Sequence, residues 1–229
     1  MNARGHTSAL FTDFYELTMA QGYRKHNMNY PAVFDMFFRR QPFGGGFSVF
    51  AGIETLIDEL TSFSFSEADI AYLDSTGVFE KGFLDYLKTF RFSGDLYAMK
   101  EGSLVFPGEP LVRIHANLID AQIIEGLILN TVNFQSLIAT KSARVWLASK
   151  KGSVMEFGLR RAQGCDGAMS ASRAAYIGGA SSTSNTLAGM RFGIPVSGTM
   201  AHSWIMSFPS ELEAFEAYAE LYPETSVFL

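Results

Sequence analysis

"GSVMEFGLRRAQGCDGAMSASRAAYIGGASSTSNTLAGMRFGIPVSGT", residues 152–199, decides the fold class of this 229-residue chain. "VMEFG" (154–158) is strand-like, and "CDGAMSASRAAY" (165–176) is a helix closed by Gly178-Gly179. "ASSTSN" (180–185) is a short strand or loop, "TLAGMRFG" (186–193) a short helix, and "IPVSGT" (194–199) a strand. Short apolar runs alternating with helical stretches predict parallel strands joined by crossover helices, hence an α/β barrel or a doubly wound sheet. The alternation continues downstream. "SELEAFEAYAELYP" (210–223) reads as a helix with Ser210 and Glu213 in a capping box, and "TSVFL" (225–229) as the start of another strand.

Upstream of Gly152 the pattern differs. Residues 12–27 read as a helix capped by Thr12 or Asp13, with Phe14, Leu17, Ala20 and Tyr23 at near-helical spacing. "AVFDMFFR" (32–39) is apolar on both faces, which predicts a strand inside a sheet. A Gly44–Gly46 turn, a short strand over 47–52 and a helix over 53–60 follow. Two more helices are expected over 66–76, with Ser66 as cap and Gly77 as stop, and over 81–90. Residues 94–116 alternate, broken at Glu101-Gly102 and Pro107-Gly108, the pattern of antiparallel strands with tight turns. A long helical region from Asp120 to Lys151, bent near Asn130 or Asn133, then stops at Gly152. The expected division is 1–151 and 152–229. Three or four parallel strands cannot close a barrel, which needs eight. The sheet is then either open and small, or the chain is the front part of a longer protein.

Composition narrows the function classes. Hydrophobic residues make up 48%, with 21 Phe and 9 Tyr, enough for a substantial core. A net charge of −5 argues against non-specific nucleic-acid or membrane-surface binding, because polyanions attract basic faces. No run approaches a membrane span, and no apolar stretch follows the basic start as a signal peptide requires. The single Cys165 excludes internal disulfides and fits a reducing cytoplasm.

In parallel α/β architectures, ligands gather at the carboxyl ends of the strands. Those ends here offer Arg160 and Arg161, then Ser184, Asn185 and Thr186, then Thr199 and His202. There is no paired-carboxylate signature and no Cys/His metal cluster, so zinc chemistry and two-carboxylate hydrolysis fit poorly. His202 reads either as a helix-start histidine bonded to a nearby carbonyl or as a neutral imidazole used as nucleophile or base. Arg160-Arg161 read as a surface pair or an anion site. Tyr15 and Phe157 read by default as core aromatics, Arg39-Arg40 as a solvated strand exit, and Lys141 and Arg144 as a solvent-facing i,i+3 pair.

Taken together, "TDFYELTMAQGY", "VFDMFFRRQPFGGGFSVFAG", "LILNTVNFQSLIATKSAR", "EFGLRRAQGCDGAMSASRAAYIGG" and "TSNTLAG…GIPVSGTMAHSW" resemble nicotinate phosphoribosyltransferase, a type II phosphoribosyltransferase. The resemblance runs in order from about residue 8 onward and covers the N-terminal half of such an enzyme. It implies an α/β fold: an N-terminal α/β sandwich domain followed by the first part of an irregular α/β barrel, incomplete in this chain. It also implies formation of nicotinate mononucleotide from nicotinate and phosphoribosyl pyrophosphate, coupled to ATP hydrolysis and requiring Mg²⁺. The family's phosphorylated histidine lies in a Gly-Thr-x-x-His block, here Gly198 to His202. His202 is then expected to take the γ-phosphoryl of ATP.

The same resemblance assigns pyridine stacking to Tyr15 and Phe157, and the ring carboxylate or the ribosyl donor to Arg160. Thr199 is expected to contact nicotinate. Asn185 stands where nicotinamide-using relatives carry Asp. An amide there can donate to nicotinate's carboxylate, whereas an acid would repel it. Arg39 or Arg40 is expected to reach a phosphate in a neighbouring subunit's site, in a homodimer with shared active sites. Lys141 and Arg144 have a similar expected role. Two alternatives stand beside this one: a catalytically silent N-terminal fragment acting as a dimer or complementation partner, and a nicotinamide phosphoribosyltransferase.

Overall fold

A computed structural model describes residues 7–224. The first part is helices packed on antiparallel strands. Helix α1 (Phe14–Lys25) leads to strand β1 (Pro31–Met36), and β2 (Ser48–Val49) leads to helix α2 (Ile53–Ser62). Helices α3 (Glu67–Ser75) and α4 (Lys81–Thr89) precede β3 (Asp95–Ala98), β4 (Leu104–Val105) and β5 (Val112–Asn117). Helices α5 (Leu118–Ile123) and α6 (Glu125–Ala148) complete this part. β5 lies between β1 and β3 in a three-stranded antiparallel sheet, and β2 pairs with β4 separately.

Local sequence explains these elements. Val112, Ile114 and Ala116 of β5 turn inward while Arg113, His115 and Asn117 turn out, as the two-residue strand period requires. The inward set joins a core holding Phe50, Leu56, Phe63, Leu73, Leu87 and Ile119, each side chain worth roughly 1.5–3 kcal/mol of transfer free energy. Ser66 caps α3 with a capping box. Its hydroxyl accepts the Asp69 amide at 3.2 Å, and the Asp69 carboxylate accepts the Ser66 amide at 2.8 Å.

Several expectations change. β1 is an edge strand, not an interior one: it pairs only with β5, ends at Met36, and leaves Val33 58% exposed and Phe34 and Phe37 exposed as well. Two-sided hydrophobicity thus marks an uncovered face here rather than burial. At α1, Asp13 is the N-cap but makes no side-chain cap bond, while the Thr12 hydroxyl donates to Glu16. The long helical region breaks at Ile124, between α5 and α6, and not at Asn130 or Asn133. Both asparagines are exposed on α6, so neither side chain disturbs the helix. Gly152 is not the left-handed stop of α6; Lys150 and Lys151 take the positive φ values of 57° and 65°.

After α6 the pairing becomes parallel. β6 (Met155–Glu156) precedes a 3₁₀ turn over Leu159–Arg161 and helix α7 (Gly164–Ile177). β7 (Ser182–Thr183) pairs parallel with β6, and helix α8 (Thr186–Phe192) follows. The expected strand over 194–199 contributes a single parallel bridge, Thr183 to Val196. Helices α9 (His202–Ile205) and α10 (Glu211–Leu221) close the described chain, and Ser210 caps α10 with its hydroxyl on the Glu213 amide at 3.3 Å. The strand expected over 225–229 lies outside the described residues.

α7 packs along α6. Gly178 lets them meet: a Cβ there would run into the Ala139 carbonyl and lie 2.8 Å from the Ser142 Cβ. Among the described residues no helix is long and apolar enough to cross a membrane.

Candidate active site

The carboxyl ends of β6, β7 and the Val196 bridge carry Phe157, Arg160, Asn185, Thr199 and His202. Parallel pairing is what gathers them, because each strand delivers its next residues to the same edge. Phe157 is half-buried directly after β6, and Arg160 is exposed in the turn that follows. The Arg160 guanidinium forms no hydrogen bond or ion pair with another described residue, whereas Arg161 donates weakly to the Phe157 carbonyl at 3.4 Å. Thr199 lies half-buried three residues beyond the bridge. His202 opens the short α9 with its side chain exposed; among the described residues its backbone carbonyl alone is engaged, by the Met206 amide at 2.9 Å.

Asn185, expected as a donor to ligand, is placed among protein partners. It is only 3% exposed, and its side chain is engaged by protein. Its Oδ1 accepts the Ala188 amide at 3.2 Å, capping α8, and its Nδ2 donates to Ser172 Oγ at 3.2 Å and toward the Ala168 carbonyl at 3.5 Å. The side chain thus serves two partners: its oxygen caps the helix at the strand-to-helix junction, and its NH₂ ties that junction to α7.

The second group of cations lies on the other part of the chain. Arg39 and Arg40 are exposed in the segment between β1 and β2. That segment is pinned to α6: Arg144 Nη1 donates to the Phe43 carbonyl at 3.0 Å with its guanidinium 5.6 Å from the Phe43 ring, and the Val49 amide donates to Thr140 Oγ1 at 2.8 Å. The structure therefore brings the Arg39-Arg40 segment onto the α6 stretch that holds Lys141 and Arg144. Arg144 is engaged in this local tie, while Lys141 is exposed.

Tyr15 stands apart. It is 53% exposed in the first turn of α1, and no hydrogen bond or ring contact joins it to Phe157 or His202. The neighbouring Glu16 charge, then burial, pushes its phenol above the usual tyrosine value, so the ring is neutral.

Two polar features escaped the sequence reading. Glu156, the last residue of β6, holds the Gly158 amide and the hydroxyls of Ser172 (3.0 Å) and Thr183 (2.7 Å). A lone carboxylate inside the apolar run "VMEFG" was the available signal. Arg173 of α7 reaches Glu101 and Glu54 in the first part of the chain, at 2.7 and 2.5 Å. Nothing local in the sequence pairs residues this far apart. Among the described residues there is no group of three or more His, Cys, Asp or Glu side chains able to hold a metal ion.

The family model described as the nicotinate phosphoribosyltransferase N-terminal domain matches residues 10–133. The chain is 46% identical over 225 residues to a nicotinate phosphoribosyltransferase of Mycobacterium tuberculosis, covering 98% of this chain and 49% of that protein. It is 46% identical over 217 residues to the Bacillus subtilis nicotinate phosphoribosyltransferase, covering 94% and 44%. The crystal structure of human nicotinic acid phosphoribosyltransferase superimposes with a TM-score of 0.79 at 42% identity, over 86% of this chain and 40% of that one. A nicotinate-nucleotide pyrophosphorylase structure from Pyrococcus furiosus shares the fold, with a TM-score of 0.77 at 24% identity. The chain spans half or less of the length of these relatives. Matched along most of its own length and in its three-dimensional fold, the chain belongs to the nicotinate phosphoribosyltransferase family.

Proposed function

We propose that this chain supplies the pyridine-binding and phosphoryl-accepting half of a nicotinate phosphoribosyltransferase. That enzyme joins nicotinate to phosphoribosyl pyrophosphate, giving nicotinate mononucleotide and pyrophosphate, in cytoplasmic NAD salvage. The observation that carries this reading is His202: an exposed imidazole, six residues beyond the parallel bridge at Val196, without a side-chain partner among the described residues. A ring nitrogen in that position is free to attack the γ-phosphorus of ATP. The N–P bond forms as the P–O bond to ADP breaks, leaving a phosphohistidine whose later hydrolysis releases phosphate.

The other residues have binding roles in this reading. Phe157 offers one face of an aromatic clamp for a flat, electron-poor pyridine, and Arg160 a free guanidinium for its carboxylate. Thr199 lies between them and His202 in the chain. Asn185 orders the strand-to-helix junction beneath the site. Tyr15, exposed and remote from Phe157 in contacts, supplies the opposite face to a neighbouring subunit, and Arg39, Arg40 and Lys141 reach phosphates there, in a homodimer with shared sites. Mg²⁺ neutralises phosphate charge when bound. Among the described residues there is no group of three or more His, Cys, Asp or Glu side chains that fits it.

Incubation of the full chain with γ-labelled ATP tests the reading. Acid-labile, base-stable label is expected on the wild type and absent from His202→Ala. Equal labelling of both overturns the assignment of His202. Parallel assays with nicotinate and nicotinamide separate the acid-using enzyme from the amide-using one, and labelling without mononucleotide formation identifies a half that needs a partner for catalysis.

A further inference from the structure

We infer that Glu156 is the positioning residue of the pyridine-binding turn, and the inference rests on the reading proposed above. One carboxylate, at the end of β6, ties together three segments that must keep register for the site to exist. It accepts the backbone amide of Gly158 and so folds the chain back immediately after Phe157. Its other oxygen accepts Ser172 Oγ of α7 at 3.0 Å and Thr183 Oγ1 of β7 at 2.7 Å. The Glu156 backbone carbonyl accepts the Ser184 amide at 2.9 Å, extending the β6–β7 pairing by one residue.

Two further observations point the same way. Gly158 has an ordinary negative φ of −86°, so its backbone does not require glycine. The atom that a side chain there would meet is Glu156 Oε1, 2.8 Å from a Cβ on Gly158, so an added methyl has to displace the carboxylate. Ser172 also accepts from Asn185 Nδ2 at 3.2 Å, and Thr183 Oγ1 accepts the Asn185 amide at 3.0 Å. Asn185 is thereby linked through two hydroxyls to the carboxylate that sets the turn. An acid at 185 would have no N–H for Ser172 and would add a second negative charge to this network. The identity of residue 185 then acts on the pyridine site through Glu156 and Phe157, without touching the ligand.

The test compares the wild type, Glu156→Ala, Glu156→Gln and Gly158→Ala in the full chain. Two readouts are used: amide hydrogen exchange without ligand, and steady-state constants for nicotinate and phosphoribosyl pyrophosphate. Loss of a charge-assisted hydrogen bond predicts at least about tenfold faster exchange at residues 157–161 in Glu156→Ala, with unchanged protection in the middle of α7. Glu156→Gln keeps an oxygen for the Gly158 amide and recovers most of the protection. KM for nicotinate rises about tenfold in Glu156→Ala and in Gly158→Ala, while KM for the ribosyl donor moves less than about twofold. Unchanged exchange over 157–161 in Glu156→Ala overturns the inference, as does a loss of protection spread over all of α7. Should the wild type show no turnover on its own, as a half that needs a partner would, the exchange measurement decides the role of Glu156 by itself, while the functional reading fails only if His202→Ala labels as strongly as the wild type. If Glu156→Ala does not fold, Gly158→Ala displaces the same carboxylate from the surface side and takes its place.

Discussion

Arg173 Nη2 lies 2.7 Å from Glu101 Oε2, and the two side chains are only 11% and 12% exposed. The pair joins α7 to the turn between β3 and β4, across the change from antiparallel to parallel pairing. Gln135 Oε1 of α6 accepts from the same guanidinium at 3.3 Å, and Glu101 Oε1 also accepts the Gly52 amide at 2.6 Å. The buried charges are thus satisfied on both sides.

Removing one partner leaves the other charge buried and unpaired. Arg173→Ala is expected to destabilise the chain by about 3 kcal/mol in urea unfolding. The double variant with Glu101→Gln should lose less than the sum of the two single losses, since one interaction is being removed twice.

The same pair predicts acid sensitivity. Burial pushes the Glu101 carboxyl up, but the Arg173 hydrogen bond, the Gly52 amide and the Arg173 charge outweigh it and hold the group below the usual carboxylate range. The folded state therefore releases this proton more readily than the unfolded one. The stabilisation is complete above the ordinary carboxylate value of ~4.3 and is lost as pH falls through the depressed one. Urea midpoints measured from neutral pH down through this range should fall more steeply for the wild type than for Glu101→Gln.

Glu16 behaves in the opposite sense. Burial is the main cause of its raised carboxyl pKa, against which the Thr12 hydroxyl acts. The folded state pays a penalty that sets in as pH rises above the ordinary carboxylate value. Glu16→Gln, which still accepts from Thr12, should melt higher than the wild type at pH 7 and indistinguishably from it in acid.

Gly178→Ala tests the close crossing of α6 and α7. The added methyl meets the Ala139 carbonyl and the Ser142 Cβ, and neither can withdraw without moving α6. Overpacking of this kind costs about 1–3 kcal/mol, read as a lower thermal midpoint. The surface change Met190→Ala serves as a control and should stay within about 0.5 kcal/mol.

Tyr15→Ala separates binding from stability. The ring is exposed on α1, so the thermal midpoint should hardly move. Loss of one face of an aromatic clamp, about 1 kcal/mol, should raise KM for nicotinate about fivefold, with Tyr15→Phe close to the wild type. A large fall in melting temperature would instead make Tyr15 a core residue.

Local chemistry made part of this molecule legible in the sequence. Caps at Ser66 and Ser210, the inward alternation of Val112, Ile114 and Ala116, and the change to strand–helix alternation after Gly152 all rest on interactions between residues a few positions apart. For the same reason Arg160, Thr199 and His202 could be placed beyond strand ends before any coordinates, whereas Phe157, read as part of the strand, lies just past its end. Tertiary structure alone decided the rest. It made β1 an edge, broke the long helix at Ile124, and engaged Asn185 in capping and in the Ser172 network. It also set Arg173 against Glu101 and Glu156 against Ser172 and Thr183. Whether an apolar strand is covered, and which distant donor satisfies a buried carboxylate, depends on what the completed fold packs beside it. No window of neighbouring residues holds that information.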